Sequence, residues 1–585
     1  MILRQMRRNA IRIEGEHSAA LERARGRLVL LGMVFALAYA VIAVRVFDLA
    51  VLQGDVPRME GEVVAADEGL QEKEQVASIR RGDIYDRNGE LLATTLKAAS
   101  LYADPALILE PQKVTQRLAR IFPDLDQAQT LKDLEGARRF AWIRRGITPD
   151  QQQEILALGE PGLGFEYEDT RIYPQGALAT HLVGYADRDG NGLAGVERSY
   201  QDVLATGNDL HLTLDLRLQH ALRRELGAAV QEFQAIGAAG VILDAQTGEV
   251  LAGVSLPDFD INKAGSATDE QEFSRLTLGV YELGSMFKIF STAALLETVN
   301  GSLGQTFDAT KPIRIGRFSI NDYHAQKRVL TVPEVFMYSS NIGAALMGKT
   351  VGTEKLRAFY RDLGLIDPLK FDVREIGSPE VPHPWREAST LTASYGHGIS
   401  TTPLQLASAA ASVVNGGFLV QPKLVAQQDN SGEPEKKVRV ISQENSEKMR
   451  ALWRLVVTQG TAKNADVPGY DIGGKTGTAE KVGARGGYDR KRLISSFVGA
   501  FPMNDPKYVV MIMVDEPKGN KKTYGYATAG WVAAPVMAKV VTSMASILGI
   551  PADAYDPAKD IVYNLDRYIH DPKHKKGKTL VSYHE

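Results

Sequence analysis

Residues 28–44 (LVLLGMVFALAYAVIAV) form an apolar run without a single charge, and Phe47 with residues 49–52 extends it past Arg45. About 17 residues is the short end of what crosses a bilayer as a helix. Arg4, Arg7, Arg8, Arg12, Arg23, Arg25 and Arg27 all precede it. Positive charge is retained on the cytoplasmic side, so the N-terminus is expected inside and everything after Val44 outside. A cleaved signal peptide is the competing reading, with Ala38-Tyr39-Ala40 as the cleavage box. The apolar run continues straight through that box, which favours an anchor. No other stretch is long and apolar enough to span, so the chain is expected to have one anchor and a large extracytoplasmic body.

At 585 residues that body is too long for one ordinary domain. The apolar fraction of 44% and charged fraction of 24% are those of a globular protein. A formal net charge of -3 gives no electrostatic case for nucleic acid. Cysteine is absent, which excludes disulfides, zinc–thiolate sites and a cysteine nucleophile, and leaves the chain indifferent to an oxidising compartment.

Residues 53–78 are polar and acidic, a spacer leaving the membrane. Residues 81–89 (RGDIYDRNG) follow, and Asn88-Gly89 between strand-like runs predicts a hairpin turn. From there to about residue 228 short strands and helices alternate without a catalytic signature, and include residues 192–197 (GLAGVE). The texture then changes. Residues 239–243 and 249–254 are apolar runs joined by 244–248 (DAQTG), a second predicted hairpin. A helix-rich stretch runs to about residue 465. Residues 496–501 and 508–514 are two further strands, with Asn504-Asp505-Pro506 turning between them. Strands first, helices in the middle and strands last imply an antiparallel sheet carrying helices, an α+β class. Beyond residue 551 the chain becomes polar and basic.

Three short motifs occur in order along this body. The first is Ser285-Met286-Phe287-Lys288, at the start of an apolar helical pattern over 286–299. A serine and a lysine three apart share one helix face. The serine then sits at the positive end of the helix dipole, which favours an oxyanion there. Burial and a neighbouring cation can depress the lysine until it accepts the serine proton. The second motif is Ser339-Ser340-Asn341, at a junction between helical runs. Its hydroxyl can relay a proton, and its amide can bond both a carbonyl and a lysine. The third is Lys475-Thr476-Gly477-Thr478, before a glycine-rich loop. It offers the second cation, two hydroxyls for a substrate carboxylate, and a glycine where an extended peptide can lie against a strand edge.

Each motif alone is ordinary. Ser-x-x-Lys arises about once or twice by chance in a chain this long, and each serine also fits a cap or a turn. The ordered set carries the weight. Other candidates carry little. His570 and His574 are separated by Pro572, which breaks the helix needed to align them on a metal. His397, in Gly396-His397-Gly398, reads as a turn or packing residue. No phosphate-binding glycine loop is present, and neither a cofactor nor a metal is expected.

The set Ser-x-x-Lys, Ser-x-Asn, Lys-Thr-Gly resembles the signature of penicillin-binding proteins. Residues 81–89 and 195–197 resemble boxes of the class B pedestal, and 398–407 (GISTTPLQLA) and 474–479 resemble the transpeptidase core. The whole is similar to the septal class B enzyme of cell division. The resemblance implies a cytoplasmic tail at 1–27, a transmembrane anchor at 28–52 and an elongated mixed α/β pedestal at 53–228. A β-lactamase-like transpeptidase domain at 229–550 and a polar tail at 551–585 would follow. It implies Ser285 as nucleophile, Lys288 as base, and Ser339, Asn341 and Lys475 as the hydrogen-bond and proton network. Thr476, Gly477 and Thr478 would bind substrate, and the backbone N–H groups of Ser285 and Thr478 would form the oxyanion hole. Implied partners are the D-Ala-D-Ala stem pentapeptide, β-lactams, a SEDS-family glycosyltransferase and other divisome membrane proteins, with no nucleic acid. The implied location is the inner membrane at the septum, with the body periplasmic. Leu283 stands where the family commonly has proline, and Ser340 where it often has aspartate. An elongation-type transpeptidase, a D,D-carboxypeptidase or β-lactamase, and a silent sensor or scaffold are the competing readings. Anchor plus pedestal argues against the hydrolases, and three intact motifs argue against the silent forms.

Overall fold

The computed structural model describes residues 80–316, 318–426, 437–483, 487–552 and 561–570, with Met33 and Ala40. The expected anchor, apart from Met33 and Ala40, and the whole acidic spacer lie outside these residues. Among the described residues no helix is long and apolar enough to cross a membrane.

The first hairpin forms as its turn residues predict. Strand β1 (Ile84–Tyr85) pairs antiparallel with β2 (Leu91–Ala103). The buried Asp86 carboxylate accepts the N–H groups of Asn88 and Glu90 at 2.7 and 2.9 Å and so closes the turn. β2 also carries β3 (Ala141–Ile147) and β4 (Leu163–Ile172), while β1 runs parallel to β5 (Leu210–His211). The outer part of this sheet has its own core, in which Leu101, Leu118, Phe122 and Ile147 meet. Ile84, Leu92, Val196 and Leu210 instead belong to the main core of the molecule.

The two pedestal boxes, 116 residues apart, meet across a buried ion cluster. Glu197 is fully buried, with Arg81 Nε at 2.8 Å and Arg171 Nε at 2.7 Å from its two oxygens. The Tyr173 hydroxyl donates to the same carboxylate at 3.2 Å. Two guanidiniums removed from water depend on that one carboxylate.

The second sheet orders as β8 (Gly473–Val482), β9 (Tyr488–Phe501), β10 (Tyr508–Asp515), β6 (Gly237–Asp244) and β7 (Val250–Leu256), antiparallel throughout. Residues 237–243 of β6 are all buried, which requires cover on both faces. Helix α1 (Leu216–Glu232) provides one cover, with Leu222 and Leu226 against Gly240. Helix α5 (Pro403–Val414), buried along its whole length, packs on β6 and β10. Between β7 and β8 lie α2 (Lys288–Thr298), α3 (Val332–Tyr338), α4 (Asn341–Val351) and α6 (Gln443–Thr458). After β10, helix α7 (Ala533–Leu548) packs beside α1.

Three details differ from the sequence reading. A domain boundary at residue 228 would cut through α1, whose apolar face belongs to the second sheet; its first amide, on Leu216, is bonded by Asp86 at 3.1 Å. The helix-rich stretch contains two small hairpins, Thr306–Asp308 with Val329–Thr331 and Ile313–Ile315 with Phe318–Ile320. The region after residue 551 is not uniformly a polar tail. Ile561–Tyr568 form a 3-10 helix, and Leu565 and Ile569 are buried in the main core.

Removing one partner of a buried pair strands the others' charge, at a cost of about 3–5 kcal/mol. Glu197→Gln is therefore expected to lower the urea stability of the soluble body by about that amount. A loss below about 1 kcal/mol, the ordinary worth of an exposed pair, would show that the cluster does not hold the pedestal boxes together.

Candidate active site

The structure brings the three motifs together around two buried lysines. Ser285 lies in a single 3-10 turn, Gly284–Phe287, which runs into α2 at Lys288. The expected helix therefore starts with a tighter turn, and serine and lysine still share a face. Gly284 has φ +54° and lies against strand β8; a Cβ there would come within 3.0 Å of the Thr478 carbonyl oxygen. This close approach makes the backbones of Ser285 and Thr478 neighbours.

Ser339 ends α3 and Ser340 caps α4. Ser339 adopts the left-handed conformation, φ 59°, which turns its carbonyl back toward α2. Lys288 Nζ lies 2.7 Å from that carbonyl, 2.7 Å from Asn341 Oδ1, 2.8 Å from Ser285 Oγ and 3.1 Å from Ser339 Oγ. Lys475 Nζ, from β8, lies 2.9 Å from Ser339 Oγ on its other side. The Ser339 hydroxyl thus bridges the two amines.

Both lysines are fully buried. Burial, and then the neighbouring Lys475 charge, hold Lys288 well below the ordinary lysine value, with Asp322 opposing. Burial alone pulls Lys475 down to about 7. A neutral amine has two N–H groups and one lone pair. The Asn341 amide donates through Nδ2 to the Asn321 carbonyl at 3.0 Å, which fixes its oxygen toward Lys288. That oxygen and the Ser339 carbonyl can only accept, so they take the two N–H groups. In the neutral amine the lone pair then faces Ser285 Oγ.

The remaining expected residues lie close by. Thr476 Oγ1 is paired with Thr461 Oγ1 at 2.7 Å. Thr478 Oγ1 accepts from the Ala529 N–H at 3.0 Å and keeps its own proton to donate. Gly477 has a different reason from the expected one. A Cβ there would meet the Leu283 carbonyl at 2.4 Å, Ser496 Oγ at 2.8 Å and Met286 Cγ at 2.9 Å. The glycine lets the strand approach the Ser285 turn. His397 packs between Tyr395 and Tyr488, at ring distances of 5.3 and 4.7 Å, as a turn and packing residue.

Asn321 and Asp322 were not foreseen. Asp322 accepts the Ser340 hydroxyl at 2.7 Å and the Ile342 N–H at 2.9 Å, and so anchors the start of α4. An Asn-Asp pair is ordinary turn composition, and its contacts fall 18 and 20 residues downstream.

The family model for the penicillin-binding protein transpeptidase domain matches residues 238–540, and that for the penicillin-binding protein dimerisation domain matches 77–209. The chain belongs to the class B penicillin-binding proteins. It is 40% identical over 483 residues to the probable peptidoglycan D,D-transpeptidase FtsI of Caulobacter vibrioides, covering 80% of this chain and 82% of that one. It is 31% identical over 511 residues to the probable peptidoglycan D,D-transpeptidase PenA of Neisseria meningitidis, covering 81% and 86%. The crystal structure of penicillin-binding protein 3 from Mycobacterium tuberculosis, complexed with aztreonam, superposes with a TM-score of 0.65 at 26% identity, covering 82% of this chain and 98% of that one. In a class B penicillin-binding protein the pedestal precedes the transpeptidase domain, which is the order of the two matches here.

Because the contacts that exclude a side chain at Gly477 include backbone, Gly477→Ala is expected to push β8 and the Ser285 turn apart. Acylation by penicillin should slow at least tenfold, about 1.4 kcal/mol in barrier, in protein that still folds. An unchanged rate would show that the turn tolerates the displacement.

Proposed function

We propose that this chain is a septal peptidoglycan D,D-transpeptidase whose nucleophile is Ser285 and whose base is Lys288. The observation that carries the reading is the amine of Lys288. It is buried, held well below the ordinary lysine value by that burial, and 2.8 Å from the serine oxygen with its other partners all acceptors or shared. The names of the relatives in Caulobacter and Neisseria supply the reaction, and the former supplies the division role.

In this mechanism Ser285 Oγ attacks the carbonyl of the penultimate D-Ala of a stem pentapeptide, and its proton passes to Lys288. The backbone N–H groups of Ser285 and Thr478 hold the oxyanion that develops. Collapse breaks the peptide bond. The leaving D-Ala amine takes a proton through Ser339, with Lys475 on the far side of that hydroxyl as the replenishing donor. The amine of a second stem then attacks the ester, gives up a proton to the same network, and releases Ser285. Thr476 and Thr478 bind the terminal carboxylate. β8 is an edge strand, so the donor peptide can add along it by main-chain hydrogen bonds. A β-lactam enters as an analogue of D-Ala-D-Ala and stops at the acyl-enzyme.

The sequence and the family support the rest of the assignment. The anchor at 28–52 holds the body on the periplasmic face of the inner membrane. The pedestal sets its height and meets a SEDS-family glycosyltransferase and other divisome membrane proteins, and tethering raises the effective concentration of such a pair.

Labelling with fluorescent penicillin and peptide mapping tests the nucleophile. One adduct on Ser285 is expected, and none in a folded Ser285→Ala protein; an adduct on another serine would refute the assignment. Lys288→Arg keeps the charge but cannot lose it. Its acylation rate is expected to fall by orders of magnitude, and a rate within about tenfold of the parent would remove Lys288 from the role of base.

A further inference from the structure

The segment Ile561–Tyr568 returns to the transpeptidase domain at the far end of the helix that carries Ser339. Thr331 is the N-cap of α3, and its hydroxyl donates to the Tyr568 carbonyl at 2.7 Å. Two residues on, the His570 N–H donates to Glu334 Oε1 at 2.7 Å. Glu334 is fully buried and is the third residue of that cap; its oxygens also take the Thr331 N–H and both Arg328 guanidinium nitrogens. Leu565 and Ile569 are buried in the main core, and the segment packs on α3 and α6. These contacts seat one end of α3. The other end is Ser339, whose carbonyl and hydroxyl close over the Lys288 amine.

Helix α3 has only seven residues. A helix that short has little stability of its own and takes its position from what packs around it. A shift at its first turn is passed rigidly to its last, because the intervening residues 332–337 are all buried and close-packed. We propose that residues 561–570 are a strap that positions Ser339 against Lys288, so that loss of the strap slows acylation although no group touching the substrate is removed. The inference rests on Lys288 acting as base.

Besides Ser339, the charged or titratable groups that face Lys288 are Lys475 on β8, Asp322 before α3 and His397 on the 396–398 turn. None of them lies on the strap. Burial is the first cause of the low lysine value. If Ser339 recedes, water reaches the amine, Lys288 holds its proton to higher pH, and the acid limb of acylation moves upward. A mere loss of folded protein would lower the rate at every pH and leave that midpoint in place.

The test compares three chains in detergent: the full chain, one ending at His570 and one ending at Asp560. Each is acylated with fluorescent penicillin from neutral to alkaline pH. The chain ending at His570 is expected to match the full chain. The chain ending at Asp560 should be slower by at least about tenfold at neutral pH, with its midpoint raised by about one unit. Equal rates, or a slower rate with an unmoved midpoint, would overturn the strap. Should the shortened chain fail to fold, Leu565→Ala in the full chain must show the same upward displacement to a smaller degree; an unmoved midpoint there overturns the proposal as well. Failure of the full chain to label at Ser285 would instead bring down the proposed function itself.

Discussion

A lysine amine cut off from water, with its protons claimed by two carbonyl-type oxygens, is the interaction around which this domain is arranged. An isolated ammonium is costly to bury, and the cheaper state is the neutral amine. Lys288 is biased toward that state because α2 places it on the same face as Ser285, and because the α3–α4 junction covers it with the Ser339 carbonyl and Asn341. A second buried amine, Lys475, adds repulsion without direct contact, since the Ser339 hydroxyl stands between them. The arrangement carries a thermodynamic cost. A lysine whose folded value is depressed binds fewer protons than its unfolded counterpart, so stability rises with pH across that interval. For Lys475 the interval runs from about 7 up to the ordinary lysine value, and below it the penalty is present in full.

The surroundings are best understood as supports for that geometry. Gly284 and Gly477 let the Ser285 turn and β8 pack backbone against backbone. Asp322 bonds Ser340 and the amide of Ile342, and Asn321 turns the Asn341 amide the right way round. The five-stranded sheet, buried on both faces at β6, is the rigid body to which β8 belongs. Farther out, the pedestal boxes lock around Glu197, and Asp86 carries the lock to the first amide of α1. Chemistry and placement are thereby joined through one continuous core rather than through a loose linker.

Much of this was legible in the chain because the signals are local. Serine and lysine three apart on an apolar helical pattern define their own geometry, and Asn88-Gly89 and residues 244–248 announce their hairpins. Contacts between distant segments left no such trace. Asn321 and Asp322 look like any turn, and nothing local says that Ser340 lies against them. Gly477 was read as room for substrate, whereas the space it clears is taken by the Leu283 carbonyl. The C-terminal segment was hidden by its polar neighbours, and two apolar residues, Leu565 and Ile569, are too few to announce a buried element by themselves. Residue 228 falls inside α1 because that helix is amphipathic and its partner strand comes later in the chain.

In the proposed mechanism Lys288 is neutral in the free enzyme under conditions where an ordinary lysine is charged. Direct titration of carbon-13-labelled lysines by NMR, with Lys288 assigned by comparison with Lys288→Met, measures this without any reaction taking place. The Lys288 resonance is expected to titrate well below the free-lysine value of about 10.4. A Lys288 resonance that moves only near that value would contradict it, because a protonated lysine cannot take the proton from Ser285.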